Sequence, residues 1–397
     1  MKVYFKFLLF LISFIYISCD NSMPQRIDEV YSDMENYPDD FIENSDMEVD
    51  VDSDANFSTT DEDDVKPDED TPVPDKHDED EYKDEGEPLD VSVPEEEPPV
   101  DLPGVNFKFF PDLSYGDEEE QLMDLYLPDT EKPAPFVVFY HGGGFVAGDK
   151  KEVHELLDIS ILEDLLKNGV AVISVNYRLL EEKEDVGLIK PLSDCRRALQ
   201  FLRYNSEKLR LEKEKTVLMG LSAGAGSSMW VAFNKDMADS ENSDPVRKES
   251  TRVNAVVAIE TQATYDLVKW ETEIYEPFGI TLEMASNFGF KKTIYSFYAI
   301  DSMDELYTPE IEKYRKKVDM LDLMTEDDPE VFVFNAHQNA GHPGADFYSL
   351  LHHPRHAEVL KNRAEETNMK GRFYAPALGI EDSSGEWIVP FILRNIL

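Results

Sequence analysis

The sequence predicts an α/β fold, a mostly parallel sheet wrapped by helices and carrying a helical insertion, on three observations. Short apolar runs alternate with helical segments between Phe136 and Ile259, which is how parallel strands with crossover helices are written. Two of those runs, ending at Tyr140 and Met219, break directly into glycine-rich turns. An aromatic stretch at 262–328 then interrupts the alternation, too long for a connection, before a strand resumes at Val331. The formal net charge of -46, from 84 acidic and 38 basic residues, is not spread over this pattern. About thirty Asp and Glu lie within residues 28–100 against three Lys, with many prolines and few large apolar residues, the composition of a disordered segment. Such acidity argues against nucleic acid or an anionic lipid surface as a partner, since both would repel it.

In chain order, Lys2 and Lys6 precede an apolar stretch from Phe7 to Ile17 that ends in Ser18-Cys19, the form of a secretory signal over residues 1–19. Ser18-Cys19 resembles a bacterial lipobox, which implies that Cys19 is lipidated and anchors an exported protein to a bacterial membrane. Residues 20–104 read as an extended acidic linker. Within it, Asp50-x-Asp52-x-Asp54 reads as a solvated charge run, because Ala55 stands where a calcium loop needs glycine. The folded domain, 105–397, opens with an antiparallel pair, Phe107 to Phe110 and Leu122 to Leu127, turning at Tyr115-Gly116-Asp117. Strands follow at 136–140, 170–175, 216–219, 253–259, 331–334 and 371–378. Helices are expected near 151–167, 191–208, 222–238, 309–323, 354–368 and 387–397. Right-handed crossovers then place His141, Ser222 and Glu260 along one edge of the sheet, where open α/β sheets bind ligands. The insertion 262–328, with Trp270, Phe278, Tyr295, Phe297 and Tyr298, reads as a cap over that edge. Cys195, alone in the mature domain and away from a helix start, reads as a buried, inert thiol.

Gly220-Leu221-Ser222-Ala223-Gly224 sits between an apolar strand and a helix, and small neighbours are what a serine on a sharp strand-to-helix turn requires. Its hydroxyl would stand clear of the sheet beside helix N–H groups. His141-Gly142-Gly143-Gly144-Phe145 ends the earlier strand, and a triple glycine lets backbone N–H groups approach a ligand. His141 itself reads as an anchor for that turn. Together with Tyr115-Gly116, Met123-Asp124-Leu125-Tyr126-Leu127-Pro128, Asn176-Tyr177-Arg178-Leu179 and the helix from Leu192 to Leu199, these motifs resemble the α/β-hydrolase superfamily. The branch is that of hormone-sensitive-lipase and carbohydrate-esterase-like (BD-FAE-like) esterases. The resemblance implies a serine carboxylic-ester hydrolase working through an acyl-enzyme, with Gly143, Gly144 and Ala223 as oxyanion-hole donors. It implies no cofactor and no metal, and a small-molecule or glycan ester with a short acyl group as substrate.

The family places its histidine after the last strand, yet residues 357–397 contain none. His337, His342, His352, His353 and His356 crowd the segment after the preceding strand instead, on the sheet edge that carries Ser222. Pro354 suits a first helical turn and puts His353 at its cap, so His353 is the expected base, with His352 and His356 as alternatives. Asp346 keeps the order serine, acid, histidine and is the expected acid, with Glu381 or Asp382 as alternatives. A missing histidine also leaves open a second function, a non-catalytic binding or scaffold protein on the same fold.

Overall fold

The computed structural model describes residues 94–343 and 347–397. The signal segment 1–19 with Cys19, the linker up to residue 93, and Asp346 lie outside the described residues. Eight strands form one sheet: β1 Phe107–Ser114, β2 Leu122–Pro128, β3 Ala134–Tyr140, β4 Ala171–Val175, β5 Leu211–Leu221, β6 Ala255–Ile259, β7 Glu330–Phe334 and β8 Gly371–Tyr374. Their order is β1-β2-β4-β3-β5-β6-β7-β8. The expected antiparallel β1–β2 pair forms, β2 joins β4 antiparallel, and every other pairing is parallel.

Every residue of β3 is buried, as a central parallel strand covered on both faces must be. Because side chains alternate, Phe136, Val138 and Tyr140 enter one core and Val137 and Phe139 the other. Helices α2 (Ile189–Tyr204) and α3 (Ala223–Phe233) cover the first face, and α1 (Ile159–Lys167) and α7 (Ile388–Ile396) cover the second. On α2 the buried stripe of Leu192, Cys195, Ala198, Leu199 and Leu202 follows the helical repeat. Cys195 is fully buried, and burial pushes its thiol well above the ordinary range.

Local chemistry explains where the elements depart from expectation. The helix expected over 151–167 is broken, because Asp158 caps a new start by accepting from Ser160 N at 3.0 Å. Strand β5 begins earlier, at Leu211, and β8 stops at Tyr374, ahead of a short turn beginning at Pro376. The domain also begins before residue 105: Glu96 N donates to Phe109 O at 3.0 Å and Leu102 is buried in the second core. A bridge of this kind covers part of the edge strand β1.

The insertion folds as short turns and helices, among them α4 (Lys291–Tyr298) and α5 (Pro309–Lys317), the latter capped by Thr308 accepting from Ile311 N. Trp270, Tyr275 and Tyr298 are fully buried in the same core as α2 and α3, so the insertion is packed onto the domain. After it come α6 (Arg355–Thr367), β8 and α7.

The Asn-Tyr-Arg motif after β4 is locked to α2 by charge. Arg178 donates from Nε and Nη2 to the two oxygens of Asp194 at 2.9 and 2.7 Å, and Gln121 Nε2 donates to the same carboxylate at 2.8 Å. Asp194 is buried, so removing it takes from Arg178 and Gln121 the acceptor they share, with Glu118 Oε1 still 3.7 Å from the guanidinium. Asp194→Ala is expected to cost about 1.5–3 kcal/mol, read as a lowered urea midpoint at unchanged m-value.

Candidate active site

Ser222 sits between β5 and α3 with φ 51° and ψ -114°, a positive φ that a serine adopts only under constraint. Three contacts hold it there. Ser222 N donates to Ile259 O of the neighbouring strand at 2.8 Å. A Cβ on Gly220 would lie 2.2 Å from the carbonyl of Gly224, and one on Gly224 would lie 2.0 Å from Tyr140 O and 2.5 Å from His141 O. Both glycines flanking the serine are therefore required by backbone contact. The second of these contacts presses the start of α3 against the end of β3, beside the triple-glycine turn.

That turn is held from three sides. Gly143 O accepts from Val146 N at 3.1 Å and Ala147 N at 3.2 Å, closing the loop, with Gly143 at φ 95° and Gly144 at φ 61°. The Tyr177 hydroxyl donates to His141 O at 2.8 Å and Gly142 O at 3.2 Å, and its ring stacks on His141 at 4.2 Å. Gly142 N donates to Glu152 Oε2 at 2.9 Å. His141 donates from Nδ1 to Gly142 O at 2.9 Å, and burial lowers its pKa to about 4, so it is a neutral anchor. These bonds use the N–H of Gly142 but leave those of Gly143 and Gly144 without an acceptor among the described residues. Ala223 opens α3, so its N–H has no intrahelical acceptor. The three expected oxyanion donors are thus unengaged, next to an elbow serine.

The histidine at Ser222 is His352, not the expected His353. His352 Nε2 lies 2.9 Å from Ser222 Oγ. His352 directly follows the helical turn Phe347–Leu351 and stays tied to it, its N–H donating to Tyr348 O at 3.0 Å, whereas His353 lies beyond that bond. His353 instead accepts from Arg355 N at Nδ1, at 3.2 Å, and donates from Nε2 to Gly341 O at 3.0 Å, with its ring against Phe278. His356 is buried inside α6, where Nδ1 accepts from Ala263 N at 3.1 Å. Burial, reinforced by the nearby His337, lowers His352 to about 3, so the ring is neutral and able to accept a proton from the hydroxyl. The expected acid Asp346 lies outside the described residues. Of its alternatives, Asp382 is engaged by Ser384 N at 2.9 Å and Arg372 Nη1 at 3.7 Å, and Glu381 is exposed.

Several residues that sequence reasoning did not single out position this histidine. Asn335, just past β7, donates from Nδ2 to His352 O at 3.0 Å. Gln262 Nε2 donates to Leu351 O at 3.1 Å, the Tyr275 hydroxyl donates to Leu350 O, and Arg355 Nε donates to Ile274 O at 2.8 Å. The insertion also reaches the elbow, where the Tyr265 hydroxyl donates to Ala223 O at 2.7 Å. Gln262, Tyr265 and Tyr275 lie in the aromatic stretch, while Asn335 follows β7 and Arg355 opens α6, and no spacing in the sequence links them. Among the described residues no group of three or more His, Cys, Asp or Glu could hold a metal ion.

Known proteins share parts of this architecture. The chain is 27% identical over 144 residues to a probable isoprenylcysteine alpha-carbonyl methylesterase of Arabidopsis thaliana, covering 36% of this chain and 29% of that one. It is 26% identical over 159 residues to esterase LipC of Mycobacterium tuberculosis, covering 40% of this chain and 36% of that one. The chain thus spans about a third of the length of these curated relatives. Among solved structures, a bifunctional GH43-CE protein of Bacteroides eggerthii superposes with a TM-score of 0.52 at 18% identity, over 72% of this chain and 38% of that one. Residues 123–294 match the BD-FAE family model, a span that holds the glycine turn and the Ser222 elbow and stops short of His352. With that match, the strand order and the serine elbow, the chain is a protein of the α/β-hydrolase fold.

Proposed function

We propose that the protein is a serine carboxylic-ester hydrolase that works through an acyl-enzyme. The observation that carries this reading is the 2.9 Å contact between Ser222 Oγ and His352 Nε2 at a strained elbow beside unengaged N–H donors. Ser222 Oγ attacks the ester carbonyl carbon, forming the Oγ–C bond while its proton passes to His352 Nε2. The carbonyl oxygen takes up the negative charge and is received by the N–H groups of Gly143, Gly144 and Ala223, each such donor lowering the barrier by about 3–4 kcal/mol. Collapse breaks the bond to the alkoxy group, which leaves with the proton from Nε2. Water then attacks the acyl-enzyme, giving its proton to Nε2. Release of the carboxylic acid returns that proton to Ser222.

The second reading, a non-catalytic scaffold, rested on the absence of a histidine after the last strand. A base supplied from the segment after β7 removes its motive. The esterase names of the relatives support an ester as substrate; a small-molecule or glycan ester with a short acyl group is what the resemblance of the sequence motifs implies. The leader composition supports export and lipidation of Cys19, with the acidic linker as a tether.

Ser222→Ala and His352→Ala are each expected to lower kcat for a short-chain acyl ester on the order of 10⁴–10⁶-fold, and Ser222→Ala to abolish fluorophosphonate labelling. His353→Ala should stay within about tenfold of the wild type, about 1.4 kcal/mol in the barrier. Wild-type protein that neither labels nor hydrolyses such esters would refute the reading, and so would activity that survives Ser222→Ala. For the anchor, Cys19→Ala is expected to move the protein from the membrane to the soluble fraction of the producing cell. Unchanged membrane retention would reject lipidation at that residue.

A further inference from the structure

Where the β6 exit, the β7 exit and the histidine segment meet, four hydrogen bonds tie them together. Ala336 N donates to Glu260 Oε1 at 2.6 Å, Asn335 Nδ2 to His352 O at 3.0 Å, Gln262 Nε2 to Leu351 O at 3.1 Å, and Ala263 N to His356 Nδ1 at 3.1 Å. Glu260 thus stands at the head of a segment, 260–263, that is bonded to the chain on both sides of His352. Its backbone is itself constrained, with φ 52° and its N–H donating to Phe334 O at 2.7 Å, directly beside the Ile259 carbonyl that holds Ser222 N. Within this knot three side-chain atoms are shut off from solvent without a hydrogen-bond partner among the described residues: Glu260 Oε2, His352 Nδ1 and, in α6, His356 Nε2.

Glu260 Oε2 and His352 Nδ1 are complementary in chemistry. A His352 that accepts the Ser222 hydroxyl at Nε2 carries its proton on Nδ1, which is then a donor lacking an acceptor. Glu260 Oε2 is an acceptor lacking a donor. Leaving either unmade costs about 1–3 kcal/mol, and more for a charged group. The groups seen to interact with His352 include the Ser222 hydroxyl, Asn335, Tyr348, His337 and His356, and none of these supplies a negative charge. Burial pushes the Glu260 carboxyl up to about 7 and His352 down to about 3, the directions expected of two groups each without a counter-charge.

Resting on the hydrolase reading, we propose that Glu260 is the acid of the site: its carboxylate accepts the Nδ1–H of His352, fixes the tautomer and stabilises the imidazolium formed when Ser222 is deprotonated. Glu260 is a positioning residue and takes no proton in the reaction. The serine, acid and histidine then follow β5, β6 and β7, keeping their order along the chain while the histidine stands one strand earlier than the resembled family has it.

The test pairs kinetics with histidine NMR on Glu260→Gln, His352→Ala and Asp346→Asn. An amide oxygen in place of Oε1 keeps the bond from Ala336 N, so Glu260→Gln should fold with a melting temperature near that of the wild type. In that variant kcat is expected to fall on the order of 10²–10⁴-fold with little change in KM. Loss of the carboxylate disfavours the imidazolium, so the acid limb of kcat/KM should move to lower pH. Wild-type protein labelled with ¹⁵N-histidine should show a deshielded, exchange-protected Nδ1–H signal that is absent in His352→Ala and Glu260→Gln and present in Asp346→Asn. A signal that persists in Glu260→Gln, or one lost in Asp346→Asn alone, overturns the assignment. So does an unchanged kcat and pH profile in Glu260→Gln. The Nδ1–H signal reads the pairing without turnover, so an inactive wild type that keeps this pattern refutes the hydrolase reading and not the pairing.

Discussion

The backbone contact between the first turn of α3 and the end of β3 is the constraint on which the site depends. Gly224 approaches the Tyr140 and His141 carbonyls so closely that no side chain fits between them. This approach lets β5 turn into α3 within the single residue Ser222, and brings the glycine turn after β3 beside the same hydroxyl. A serine at φ 51° costs about 1–3 kcal/mol relative to relaxed backbone. That strain persists because the strands on either side are paired throughout and both sheet faces are filled. Stability in the core is thus converted into a fixed direction for one hydroxyl.

Much of this was legible because it is a backbone requirement, and backbone requirements leave a record in residue type. Two glycines spaced about a serine, and three after His141, announce close approach and positive φ through residue type alone. The sheet was legible for the same reason: buried parallel strands must be apolar on both faces, and β3, β6 and the second half of β5, from Val217, are. The choice between His352 and His353 had no such record. It depends on the one-turn helix Phe347–Leu351, whose last bond is made by the N–H of His352, and a single turn is too short to have a period. Glu96 pairing with Phe109 was hidden likewise, since nothing in an acidic, proline-rich stretch distinguishes the few residues that find a strand edge. The insertion was recognisable by its aromatics but not in its order, because its short turns impose no repeat.

Burial sets the proton chemistry of the neighbourhood. His141 and His352 are held neutral by desolvation, yet they differ in what their second nitrogen meets and therefore in use. His141 is stacked on Tyr177 and bonded to the adjacent carbonyl, which makes it part of the scaffold under the glycine turn. His352 presents Nε2 to a hydroxyl. Identical side chains in equally dry surroundings thus take different parts through one contact each.

The segment carrying His352 is fastened to the insertion more than to the sheet: Leu350 and Leu351 accept from Tyr275 and Gln262, and Arg355 reaches Ile274. Tyr265 of the same insertion grips the carbonyl of Ala223 at the other side of the serine. Nucleophile and base are therefore registered against each other partly through a third element that supplies neither. Fraying of that element would misalign the pair without disturbing the sheet, so catalytic alignment and insertion integrity form one cooperative unit, with a stability of its own below that of the global fold.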